Sequence, residues 1–135
     1  MYVGMIVSVV FILAVSLKTL WKSQVEKKQY LTLENLLLLF FTYLIVLIGF
    51  GLIYALLELM GVPVLIDNLA SENDSFLHLL SAKMYFSAVT LLSVGYGDIT
   101  PIGAGRWIAM FEALVGYVLP AAFVVRTVIE IEKHE

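Results

Sequence analysis

The amino-acid sequence predicts an all-α membrane protein: three spanning helices plus one short re-entrant helix and the loop that follows it. Three observations predict this. Hydrophobic residues make up 61% of the 135 positions and charged residues only 14%, too apolar a balance for a soluble domain of this length. Apolar runs at 3–20, 36–60 and 107–128 each come close to the roughly twenty residues that carry a helix across the hydrocarbon core. A further apolar run, 79–92, is too short to span and leads straight into Ser93-Val94-Gly95-Tyr96-Gly97-Asp98.

The first helix is expected at 1–21, its apolar run broken only by Ser8, Ser16, Lys18 and Thr19. A cleaved signal peptide is the alternative, but the basic n-region and the small-x-small cleavage site are missing, which favours a retained helix. Trp21 marks its membrane interface. The polar linker 22–34 holds Lys22, Lys27 and Lys28, with Lys18 just before it. As the basic cluster of the chain it belongs in the cytoplasm, which puts the N-terminus outside. Thr32 or Glu34 is placed to help start the next helix, although the pattern is not a clean capping box.

The second spanning helix is expected at 35–60, running outward and ended by Gly61 and Pro63. Gly49 and Gly51 form a small-residue patch where another helix can approach, and Glu58 reads as an interfacial carboxylate. The outer loop 61–78 carries Asp67, Glu72 and Asp74, read as a solvated surface or else as an acidic vestibule that concentrates cations. His78 reads as an ordinary loop histidine without metal-ligand spacing, and with no cysteine there is neither a disulfide nor a thiolate metal site.

The helix at 79–92 ends in backbone that is neither helix nor strand. Such backbone is tolerated at membrane depth only inside protein or along a wet cavity. Residues 99–105 return to the outer surface, the third spanning helix is expected at 105–128, and 129–135 form a cytoplasmic tail. Arg126 and Lys133 join the lysines of the linker on the inner side, leaving Lys83 and Arg106 outside. The glycine-rich stretch therefore faces the exterior.

Its chemistry follows from the backbone. Glycines at 95 and 97 permit positive φ at alternate positions, which turns successive carbonyls to one side. A row of such oxygens is a ligand set for a hard cation that has shed its water. Nothing points to an enzyme: no nucleophile with a base stands out, and no nucleotide-binding loop. A basic, aromatic-interleaved surface for nucleic acid is also missing, and no helix has the regularly spaced arginines of a voltage sensor.

Thr90-Leu91-Leu92-Ser93-Val94-Gly95-Tyr96-Gly97-Asp98 resembles the signature of the potassium channel pore family, usually Thr-x-x-Thr-Val-Gly-Tyr-Gly-Asp. The resemblance extends over roughly Leu36 to Arg126 and leaves the first thirty-odd residues unaccounted for. It implies a pore domain at 35–128, with an outer helix 35–60, a turret 61–78, a pore helix 79–92, a filter 93–98 and an inner helix 105–128. It further implies that potassium binds at Ser93, Val94, Gly95 and Tyr96, with Gly97 completing the filter. Four copies must surround the axis, so a homotetramer in membrane lipid is expected, with bound potassium ions and no other cofactor. The extra N-terminal helix is placed on the lipid side, and the lean architecture points to a prokaryotic membrane.

The match departs from the family pattern at Ser93, which keeps the hydroxyl of the usual threonine but loses the methyl that restrains it. A weakly selective cation channel therefore stays open as an alternative, as does a non-conducting membrane signalling or accessory subunit. Tyr85 and Asp98 match positions linked by hydrogen bonding behind the filter in relatives, while Val89 stands where some relatives have a buried acid. Gly116 matches the inner-helix hinge glycine, and Pro120 one turn later favours a kink. Glu112 is a carboxylate in the middle of a membrane helix, where one normally faces protein, a partner or water. It is expected to brace the pore helix through Ser87 or Thr90, with a cavity-facing position as the alternative.

Overall fold

The structure is a computed structural model that describes residues 2–23, 33–68 and 75–132. The apolar runs form helices α1 (Tyr2–Ser23), α2 (Leu33–Leu59), α3 (Phe76–Leu91) and α4 (Ala104–Glu132). Among the described residues, the helices long and apolar enough to cross a membrane are α2 over Leu36–Leu59 and α4 over Ala104–Val125. The apolar described part of α1, Val3–Ser16, is shorter. Lys27, Lys28, Glu72, Asp74 and Lys133, and the side chains of Trp21, Lys22, Glu34 and Arg126, lie outside the described residues.

Helix α2 ends in a way its sequence encodes. Gly61 adopts φ 78°, the left-handed conformation a glycine reaches without a Cβ penalty. Its N–H donates to the Glu58 carbonyl at 2.9 Å and that of Val62 donates to Leu57 at 3.0 Å, a Schellman closure that satisfies two orphan carbonyls. Helix α3 begins at Phe76, three residues before the expected start, because Ser75 caps it: the Ser75 hydroxyl accepts from the His78 N–H at 3.4 Å. His78 thus sits in the first turn of a helix and not in a loop. The other boundaries also differ from expectation, α2 beginning and ending slightly earlier and α4 running on to Glu132 through Pro120 without interruption.

The all-helical expectation needs one correction. Leu65–Asp67 (β1) and Ile99–Pro101 (β2) pair antiparallel, with Leu65 opposite Pro101 and Asp67 opposite Ile99. The outer loop and the segment after the glycine-rich stretch each offer a few extended apolar residues. Pairing satisfies backbone groups that a loose loop would have to bury. The Ile102 N–H adds a bond to the Val64 carbonyl at 2.8 Å.

Around this small ladder the core gathers Tyr54, Val64, Leu65, Phe86, Ile99 and Ala109, drawn from α2, the two strands and the residue just before β1, α3 and α4. The Tyr54 and Phe86 rings meet edge-on with centroids 5.2 Å apart, a favoured aromatic geometry. Helix α3 lies between α2 and α4, and α1 packs on the other side of α2. The glycine patch on α2 serves two neighbours: Gly49 faces Leu13 of α1, and Gly51 faces Met84 of α3. Small residues at such crossings let helix backbones approach closely.

Candidate functional site

The stretch Ser93–Asp98 begins where α3 runs out of turns. Helix α3 leaves its last carbonyls without intrahelical donors, and the chain that follows supplies them. Leu92 donates to Ala88 at 3.0 Å, Ser93 to Thr90 at 3.0 Å, and both Val94 (2.8 Å) and Gly95 (3.2 Å) donate to the Val89 carbonyl. The N–H groups at the start of the loop therefore point back into the helix that precedes it. Ser93, Gly95 and Gly97 have φ of 57°, 59° and 80°, while Val94 and Tyr96 between them do not take positive φ. That alternation is the backbone state from which a row of like-facing carbonyls is built.

Among the described residues Ser93 is the sole non-glycine with positive φ. A left-handed conformation is disfavoured for any residue with a Cβ, and most of all for a β-branched one. Serine in place of threonine lowers that penalty, a consequence of the substitution that the sequence alone does not display. Val94 and Tyr96 are 48% and 72% exposed in the isolated chain, so a single copy leaves this backbone open.

The C-terminal end of the stretch is fastened at Asp98. Its carboxylate acts on the nearby Tyr85 hydroxyl and is the leading cause that raises that phenol above its usual pKa range. The Ile99 N–H donates to Asp98 Oδ1 at 3.1 Å and leads directly into β2. Tyr85 and Asp98, paired by resemblance, are brought together in the structure.

Behind the loop lies a buried polar junction. Glu112 of α4 has no solvent exposure, nor have Tyr54 of α2 and Ser87 of α3. The Tyr54 hydroxyl donates to Glu112 Oε2 at 2.8 Å, and Ser87 Oγ meets Glu112 Oε1 in a short hydrogen bond. Ser87 Oγ also lies 2.9 Å from the Leu47 carbonyl of α2, within hydrogen-bonding reach. One carboxyl group thus engages both neighbouring helices, where an unpaired one would be very costly. Of the two candidate hydroxyls on α3, Ser87 is the one that reaches it; Thr90 lies half-buried nearer the loop. Tyr54 does not stand out in the sequence, because a tyrosine in a leucine-rich helix reads as packing.

A second junction adds to two sequence readings. Glu58 is not simply an interfacial carboxylate: its Oε2 lies 2.8 Å from Nζ of Lys83, whose side chain is almost fully buried. Lys83, counted by its position among the external charges, is buried on α3 against Glu58 of α2. The sequence offers no hint of this pairing, since the partner lies on another helix.

Gly116 and Pro120 lie in the continuous helix α4. At Gly116 the backbones of α4 and α3 touch, and a Cβ there would collide with the Leu91 carbonyl. The glycine is thus required for close approach, independently of any hinge. The described residues contain no group of three or more His, Cys, Asp or Glu side chains arranged to hold a metal. A cation at this stretch would find backbone oxygens and hydroxyls as its ligands.

The chain is 47% identical over 115 residues to Protein LctB of Bacillus caldotenax, covering 85% of this chain and 86% of that protein. It is 42% identical over 119 residues to Protein LctB of Geobacillus stearothermophilus, covering 88% and 89% respectively. No solved structure matches it. A family model described as ion channel matches residues 42–133, a span that takes in most of α2, the polar junction, the Ser93–Asp98 stretch and α4. The chain belongs to the ion channel family.

Proposed function

We propose that the chain is one quarter of a potassium-selective channel that passes potassium down its gradient through a four-fold pore. The observation that carries this reading is the alternation of positive φ at Ser93, Gly95 and Gly97, directly after a helix too short to span. Carbonyls of Ser93, Val94, Gly95 and Tyr96, with the Ser93 hydroxyl, replace the hydration shell of the ion, and Gly97 completes the turn of the backbone. One chain supplies a quarter of each ring, and its exposed filter backbone has no place in lipid unless partner copies enclose it.

In this reading α2 is the outer helix, α3 the pore helix and α4 the inner helix, bending at Gly116 and Pro120. Glu112 acts as a brace: its complete burial and its bonds to Tyr54 and Ser87 favour this over a cavity-facing position. Tyr85 and Asp98 hold the outer end of the filter. Helix α1 is a third spanning helix on the lipid side, with the N-terminus outside and the C-terminus in the cytoplasm. Both relatives come from bacteria, which agrees with a prokaryotic cell membrane.

The test is ion flux from the purified protein in liposomes. Potassium flux well above sodium flux is expected. Equal fluxes would make it a weakly selective cation channel, and no flux from assembled protein would make it an accessory subunit.

A further inference from the structure

The proline in α4 leaves a gap with a definite address. In an α-helix the N–H of residue 120 bonds the carbonyl of residue 116, and proline has no N–H. The carbonyl deprived of its donor is that of Gly116, halfway along a spanning helix where lipid offers no replacement. A replacement comes from α2: the Tyr43 hydroxyl donates to the Gly116 carbonyl at 2.6 Å. The same glycine lies against Leu91, the last residue of α3, so the bond sits where all three helices meet just below the filter.

The substitute donor differs from the lost one in a way that matters. A helical N–H moves with its own helix, so bending leaves the bond largely intact. The Tyr43 hydroxyl belongs to another helix, and the turn cannot swing away from α2 without breaking the bond. We propose that Tyr43 is a positioning residue that clasps α4 at the turn where Pro120 withholds its amide, taking the place of that amide and setting how readily the C-terminal half of the helix swings. The consequence for gating rests on the reading of α4 as the pore-lining helix; the clasp itself does not.

The experiment uses the full chain in four forms: unaltered, Tyr43→Phe, Pro120→Ala, and both together. Tyr43→Phe removes only the hydroxyl, and Pro120→Ala restores the backbone donor to the Gly116 carbonyl. Amide hydrogen exchange over residues 117–124 is measured in detergent micelles, and open probability in planar bilayers. With Pro120 present, Tyr43→Phe is expected to raise exchange in that segment roughly two- to tenfold, the range a single net hydrogen bond supports, and to shift open probability by a similar factor. In the Pro120→Ala background the same change should do nothing. No change in exchange with Pro120 present, or an equal change in both backgrounds, would overturn the clasp. The expected exchange pattern in a protein that passes no ions supports the clasp and counts against the channel reading. Altered current with unaltered exchange overturns the clasp and leaves the channel reading standing.

Discussion

Gly97 sits at φ 80°, and in the isolated chain nothing lies within 4 Å of where a Cβ would be. The penalty for Gly97→Ala is therefore conformational, about 1–2 kcal/mol, enough to pull the backbone out of its alternation. Potassium flux through assembled protein should be lost or lose its selectivity. Unchanged flux would mean that no carbonyl ladder forms at this position. Glu112 allows a sharper comparison, because both of its oxygens are engaged. Glu112→Gln keeps the shape and can still accept from Tyr54 and bond Ser87, so conductance should barely move. Glu112→Ala leaves two buried hydroxyls without this partner, at about 1–3 kcal/mol, and should lower the thermal unfolding midpoint of the detergent-solubilised protein. A large conductance loss in the Gln variant, with stability intact, would instead place the carboxylate on the ion path. Of these residues the sequence displays Gly97 and Glu112 plainly, since a glycine alternation and a charge inside an apolar run are both conspicuous. The roles of Tyr54 and of the left-handed Ser93 stay hidden there, because they depend on neighbours and on φ, neither of which a residue name reports.

Helix α3 is held between its neighbours by very different means at its middle and at its C-terminal end. Midway along it, Lys83 pairs with Glu58 of α2, and the lysine is buried while the glutamate keeps partial exposure. Removing one partner of a buried ion pair leaves an uncompensated charge and typically costs about 3–5 kcal/mol, whereas replacing both with apolar residues is far milder. Glu58→Gln strands the buried lysine, but the partial exposure of the site should keep its cost below that range. Lys83→Met alone should strand only the partly exposed acid, and the double replacement should be less destabilising than the sum. Thermal unfolding of the four forms checks this, and additive effects would show that the contact carries no coupling. At the C-terminal end of α3 contact is backbone to backbone, and Gly116→Ala should force α4 away from Leu91. Its effect on unfolding should exceed that of alanine placed at Gly4, where nothing lies within 4 Å of the added carbon. The helices themselves are legible because apolar runs of spanning length rarely arise outside a membrane. The β1–β2 pair is not: strands of three residues carry too little pattern, and their pairing joins segments that lie before and after α3.

For the molecule as a whole, the sequence supports a topology that the linker and the outer loop can report. The chain has no cysteine, so single cysteines introduced at positions 27 and 72 can be labelled without background. An impermeant reagent outside intact cells should reach position 72 and should reach position 27 only after permeabilisation. The reverse result would invert the threading and put the glycine-rich stretch on the cytoplasmic side. Tyr54, Ser87 and Glu112 come from three helices, with 58 and 25 residues separating the first two from the third. Their mutual dependence reaches beyond a single molecule to descent. A lineage that lost the acid would leave the Tyr54 phenol stranded in apolar surroundings, while Ser87 would keep the Leu47 carbonyl as its acceptor, so the acid and the phenol should drift together and the serine need not follow. Among divergent relatives, an aliphatic residue in place of the acid should be accompanied by phenylalanine for the tyrosine. That pair would then survive as a unit of inheritance, either polar or greasy.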